Sequence, residues 1–209
     1  MTGMSDHVDV TGTGSAGAPP DVVVLDVRVH VDGPDVASAL SGLADRLAAA
    51  VAAADDHGVR DADRRTTGMG VSPRWDREGQ GVVGYTAHQS LRLRVRDRDR
   101  AGAVISALAG AAGDALAVDG VSLEVADPAP LLVRARDAAF ADAQERADQW
   151  ARLAGRPLGP VLRVREAPMG GPVPMPKARF AAADAGVPLE GGEPVVGVEV
   201  QVRFALGEP

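Results

Sequence analysis

The chain has 209 residues, with 22 Lys+Arg against 29 Asp+Glu for a formal net charge of −7, and no cysteine. That excludes a disulfide framework, a thiol nucleophile, a thiolate zinc site and an iron–sulfur cluster, and the acidic balance argues against a general nucleic-acid binder, which carries a basic footprint. Apolar residues make up 45% of the chain but aromatics only 3%, so Val, Leu and Ala must fill its core.

In chain order, residues 1–8 are polar and expected to be frayed, and Val10 to Pro20 reads as a short strand running into a Gly/Pro-rich connection. Val23, Leu25, Val27, Val29 and Val31 then alternate with Asp26, Arg28 and His30, the period of a strand with one buried face. Gly33-Pro34-Asp35 marks a turn into a helix with Pro early in it, and Val36, Leu40, Leu43, Leu47 and Val51 carry that helix towards His57-Gly58. A strand over Val59–Val71 and a hairpin tip over 72–81 follow. The next strand is the clearest: Tyr85, Ala87, Gln89, Leu91, Leu93 and Val95 share one parity, and Thr86, His88, Ser90, Arg92, Arg94 and Arg96 the other. A helix from Asp99 to Gly113, with Ala103, Ile105, Leu108 and Ala112 inward, and a strand over Val118–Val125 complete a β-α-β-β-α-β order, a ferredoxin-like lobe over 9–126.

A long helix is predicted from Leu131 to Ala154, closed by Gly155 and about 36 Å long at ~1.5 Å per residue. Its inner stripe reads Leu132, Ala135, Ala139, Ala143, Ala147, Trp150 and Ala154. So many alanines predict a close approach to a sheet or another helix. Strands at Leu158–Glu166 and Pro194–Leu206 flank a mobile loop over 167–192 rich in Pro, Gly, Ala and Met. In the last strand Val196, Val198, Val200, Val202 and Phe204 oppose Glu199, Gln201 and Arg203. The expected architecture is α+β: the ferredoxin-like lobe, then a long helix and two strands (128–206) that extend its sheet, all within a single domain over 9–206.

The first residues lack a basic segment followed by an apolar stretch, so no secretory signal is read and a soluble cytoplasmic chain is expected. The longest apolar run, Leu47 to Ala54, is too short to cross a bilayer. Gly12-Thr13-Gly14-Ser15-Ala16-Gly17 fits G-x-G-x-x-G, but Ala18-Pro19-Pro20 and a strand follow where a phosphate-binding motif needs a helix, so it is read as a strand-end turn. His7, His30, His57 and His88 lack metal-ligand spacing, although His30 and His88 share the polar parity of two strands. No G-x-S-x-G elbow is present. Asp55-Asp56, Asp61 and Asp63 among Arg60, Arg64 and Arg65 read as a solvated rim. Catalytic, cofactor-binding and metal-binding residues are therefore expected to be none.

The most distinctive local feature runs from Arg92 to Arg100, five arginines against two aspartates in an acidic protein. Alternation places Arg92, Arg94 and Arg96 on one sheet face beside His88. Such a row is either a solvated face or an anion-facing or subunit-facing one, the latter meeting Asp184, Glu190, Glu193 and Glu199 of a neighbouring copy. Aromatics do not interleave with these arginines, which argues against nucleic acid. Met169, Met175 and Phe180 in the 167–192 loop could form a partner-binding arm, or the loop could be a hairpin tip only.

Several separated blocks share one resemblance. They are Val10-Thr11-Gly12-Thr13-Gly14, Gly33-Pro34-Asp35, Thr66-Thr67 with Ser72-Pro73-Arg74-Trp75, and Gly84-Tyr85-Thr86-Ala87 running to Val95-Arg96-Asp97. Asp119-Gly120-Val121-Ser122-Leu123, Ala135-Arg136-Asp137-Ala138-Ala139 with Asp142-Ala143 and Ala147, Leu158-Gly159-Pro160-Val161 and the ending from Pro188 to Leu206 complete the set. In this order the blocks resemble the SIMPL-domain family of small bacterial α/β proteins, with Trp75 in place of the usual Tyr and Arg146 in place of Lys. The resemblance implies an α/β fold, self-association into ring- or channel-like oligomers, frequent export among relatives and a loose link to stress tolerance. It supplies no catalytic residues. The expectation is a non-catalytic, self-associating scaffold or adaptor: a homo-oligomer open to a protein partner, without nucleic acid or a membrane span. The competing reading is an enzyme that takes a small anionic substrate on the face of His88, Arg92 and Arg94.

Overall fold

A computed structural model describes residues 6–167 and 193–208. The elements run β1 (His7–Gly17), β2 (Val22–Gly33), α1 (Val36–Asp56), β3 (Arg64–Trp75), β4 (Val82–Val95), α2 (Ala101–Ala112), β5 (Leu116–Glu124), α3 (Ala129–Leu153), β6 (Leu158–Ala167) and β7 (Val195–Leu206). The mixed helices and antiparallel sheets make this an α+β protein. It divides into two units, one continuous in sequence over 20–124 and one gathered from 6–19, 125–167 and 193–208.

In the continuous unit the strand order is β3-β4-β2-β5 and every pairing is antiparallel. Helix α1 joins β2 to β3 with β4 lying between them, and α2 joins β4 to β5 with β2 between them. This is the split βαβ arrangement of a ferredoxin-like lobe. Strand alternation turns Val23, Leu25, Val27 and Val29 of β2 and Ala87, Leu91, Leu93 and Val95 of β4 into the helices, where all are buried. The Asp35 carboxylate caps α1 by accepting from the Ser38 amide at 2.7 Å, so Pro34 stands just outside the helix rather than within it. Ala39, Leu43, Ala50 and Ala54 form the buried face of α1, with Leu40, Leu47 and Val51 half-buried beside them. In α2 Val104, not Ala103, points inward, since Ala101, Val104, Leu108 and Ala112 share one helical face. By length and composition α1 could cross a membrane, which the short apolar run did not suggest. It packs against β2, β4 and α2 and carries exposed Asp45-Arg46 at mid-length.

The other unit corrects the expected topology. The last two strands do not extend the ferredoxin-like sheet; with β1 they form a separate three-stranded sheet, β1-β7-β6. The first strand, placed in the lobe over 9–126, thus belongs here, and it begins at His7, inside the stretch expected to be frayed. Helix α3 lies on β1 and β7 through Ala135, Ala139, Ala143 and Ala147, and Leu131 and Ala151 continue this buried row at its two ends. Trp150 and Ala154, expected on that stripe, are exposed. Strict four-residue spacing of alanines keeps Ala151 in the row, and Trp150 falls about 100° away around the axis.

Gly12 and Gly14 are where the helix comes closest. A Cβ added to Gly12 would lie 2.2 Å from the Ala139 carbonyl oxygen, and one on Gly14 2.2 Å from that of Ala135. These glycines are therefore interior strand positions stripped of side chains so that backbone can meet backbone, not the strand-end turn expected. Val198, Val200, Val202 and Phe204 complete the core, with the Phe140 and Phe204 rings 6.5 Å apart and tilted.

Candidate functional site

The arginine row on β4 does not behave as one surface. Arg92 closes a two-pronged fork on Asp26 of β2, Nε to Oδ1 at 2.8 Å and Nη2 to Oδ2 at 2.9 Å. Asp26 is held below the usual carboxylate range by that fork. Arg28 likewise donates to Asp119 at 2.7 Å, and Arg74 pairs with Asp32. Arg94 has no ion-pair partner among the described residues. His88 stands directly opposite His30 in the β2–β4 ladder and beside Gly70 of β3. Among the described residues no group of three His, Asp or Glu side chains converges there as a metal would need. Met169, Met175, Phe180, Asp184 and Glu190 lie outside the described residues.

Arg96 reaches a different partner, and one that the sequence reading misplaced. Asp63, read as part of a solvated rim, is 5% exposed. It accepts from Arg96 Nε and Nη2 at 2.9 and 2.7 Å and from Arg60 Nε at 2.9 Å. Those bonds, the Arg96 pair first, outweigh the burial penalty and lower the Asp63 pKa to about 2. Arg64 beside it is held by Asp61 and Asp55. This cluster pins the start of β3 to the end of β4.

From there β3 runs as a long edge strand. Ten of its twelve residues are exposed, Met69 at 61% and Trp75 at 58%. Between Arg65 and Arg74, Thr66-Thr67-Gly68-Met69-Gly70-Val71-Ser72 carries no charge. Natural edge strands are ordinarily guarded by charges, bulges or covering elements. A register shift interrupts β3 between Thr66 and Gly68, but Gly68 to Ser72 pairs regularly with β4 on one side and, among the described residues, has no strand partner on the other. The remaining edges are guarded. On β1 the Thr13 amide donates to Asp142 Oδ2 of α3 at 2.8 Å and the Gly17 carbonyl accepts from Arg134. On β6 Arg163, Arg165 and Glu166 crowd the edge, and Asp119 and Glu124 flank that of β5.

A concave feature lies on the side of the three-stranded sheet away from α3. Arg163 of β6, Arg203 of β7 and Asp9 of β1 stand in one cross-strand row, and Arg165, Gln201 and Thr11 in the next. Together with Val10 and Val202 they line a half-open cavity of about 340 Å3. Arg203 forks onto Asp9 with both bonds at 2.8 Å, which lowers the pKa of that carboxyl. The sequence reading placed Arg203 on the polar parity of its strand but overlooked Arg163 and Arg165. Their two-residue spacing was the available signal.

Comparison with known proteins bears on all of this. The family model SIMPL, described as "Protein of unknown function (DUF541)", matches residues 8–204. The 26 kDa periplasmic immunogenic protein of Brucella melitensis biotype 1 is 28% identical, over 99% of this chain and 87% of its own length. The uncharacterized protein YggE of Escherichia coli (strain K12) is 30% identical, over 86% of this chain and 72% of its own. With the family model spanning both units, this chain belongs to the SIMPL family.

Proposed function

We propose that this protein is a non-catalytic scaffold or adaptor that assembles with copies of itself through the bare edge of β3. The carrying observation is the stretch Gly68–Ser72: regular, uncharged and largely exposed, with the side chains of Met69 and Val71 in solvent and, among the described residues, no ladder partner on its outer side. An unpaired strand edge recruits another strand by main-chain hydrogen bonding, with side chains supplying specificity. An antiparallel pairing of two copies centred on Gly70 sets Met69 beside Val71 and Gly68 beside Ser72, with no like charges opposed. Its apolar contacts add to the hydrogen bonds. The arginine forks of β4 fit the same reading, since Arg92 and Arg96 already hold Asp26 and Asp63.

Light scattering on the full chain tests the reading. The wild type is expected to run above monomer mass, and Met69→Lys with Val71→Lys to shift it towards monomer without loss of the fold, because both side chains are exposed. A wild type that stays monomeric at high concentration, or a double variant with unchanged mass, overturns it. A chain without cysteine needs no disulfide, so the fold suits an oxidising compartment, such as the periplasm named for the Brucella relative, as well as a reducing one.

A further inference from the structure

We infer that the cavity lined by Arg163, Arg165 and Arg203 is a binding site for a small phosphate-bearing dianion. The inference does not depend on self-assembly, because the cavity lies on the β1-β7-β6 sheet and not on β3.

In a protein of net charge −7, three guanidinium groups line one cavity of about 340 Å3 with a single carboxylate, Asp9. Both oxygens of Asp9 are occupied by Arg203 at 2.8 Å. Arg163 and Arg165 have no ion-pair partner among the described residues. The next carboxylate on this face, Glu199, does not line the cavity. The lining thus keeps an excess of two positive charges.

Arg163 is the direct cross-strand partner of Arg203, and Arg165 follows two residues on, so all three emerge on one face. Like charges directly opposed across a ladder destabilise it. The single Asp9 carboxylate is bonded to Arg203 and also attracts Arg163, one negative charge against three guanidinium groups, so an anion between Arg163 and Arg165 would relieve the excess. Guanidinium is also the group that matches phosphate oxygens two at a time. Thr11 and Gln201, in the same row as Arg165, add a hydroxyl and an amide as neutral donors. A half-open cavity of about 340 Å3 has room for a phosphate head with its substituent left in solvent.

Titration of the full chain with inorganic phosphate at pH 8, where it is a dianion, followed by isothermal calorimetry and by the rise in thermal midpoint, tests the site. Saturable binding in moderate chloride is expected, weakened about tenfold for each arginine lost in Arg163→Gln and Arg165→Gln. Arg92→Gln, on the other sheet, should leave it unchanged. Arg163→Lys with Arg165→Lys keeps the charge while removing the planar fork. A clear weakening in that variant identifies geometric recognition and guards against a glutamine variant that fails to fold. Absence of saturable binding, equal loss in Arg92→Gln, or wild-type affinity in the double lysine variant overturns the inference.

Discussion

Asp63 shows how a short stretch can mislead when its charges are counted rather than placed. Arg60-Asp61-Ala62-Asp63-Arg64-Arg65 looks like a polar rim, yet the 3-10 turn over Asp61–Asp63 rotates Asp61 into solvent and Asp63 beneath Arg60 and Arg96. A buried carboxylate survives only when its bonds repay desolvation, and here it accepts three. The lowered pKa carries a sign. A group that is more acidic when folded contributes stability above its unfolded value of about 3.8, and that stability is lost as pH falls towards 2. The contribution is about 2 kcal/mol near neutrality. Asp63→Asn should therefore lower the unfolding free energy by roughly that amount at pH 6. In urea titrations from pH 5 to pH 2 the gap to wild type should close, and a gap independent of pH would show that Asp63 acts by shape alone. The exposed forks, such as Arg92 with Asp26, should each matter far less.

At the scale of elements, alternation made β2, β4 and β7 legible because the period of two survives along most of each strand, even though Val22 and Val24 bury the second face of β2 at its start. The phase of α3 was less so: a stripe of alanines has no strong side chain to mark its centre, and Trp150 drew the predicted face towards itself. The glycines of β1 were legible as a motif but not as to purpose, since their partner backbone lies more than a hundred residues away. Neither arginine cluster could be assigned from the sequence either, because only the tertiary fold decides which guanidinium meets a carboxylate. Contact between β1 and α3 makes a sharp prediction. Gly14→Ala forces a methyl group against the Ala135 carbonyl and the Ala139 amide, 2.2 and 2.3 Å from the added carbon, so strand or helix must shift. Overpacking of this kind costs about 1–3 kcal/mol or more, seen as a fall in thermal midpoint. Gly68→Ala, with nothing within 4 Å, should lie within about 0.5 kcal/mol of wild type. Equal effects of the two changes would remove the close-approach account.

For the whole molecule, the decisive feature is which unit is interrupted. The ferredoxin-like unit over 20–124 closes every strand pairing within itself, from β2 with β4 to β2 with β5. The other must bring the two ends of the chain together. His7 pairs with Ala205, and Arg156 binds both the Asp6 carboxylate and the Gly207 carbonyl, each at 2.6 Å. Pairings this distant in sequence recover their loop-closure entropy only late in folding. This separation also explains why the lobe could be read from sequence and the second sheet could not: hairpins and βαβ crossovers are local, whereas β1 with β7 is not. A fragment of residues 20–124 should consequently fold by itself, since it holds the continuous core of Val23, Leu25, Leu43, Leu93, Val104 and Leu108 at a size where single domains are ordinarily stable. The expected result is cooperative urea unfolding with dispersed amide resonances. A fragment that unfolds without cooperativity would mean that the lobe draws its stability from the discontinuous unit, and that the two cores act as one.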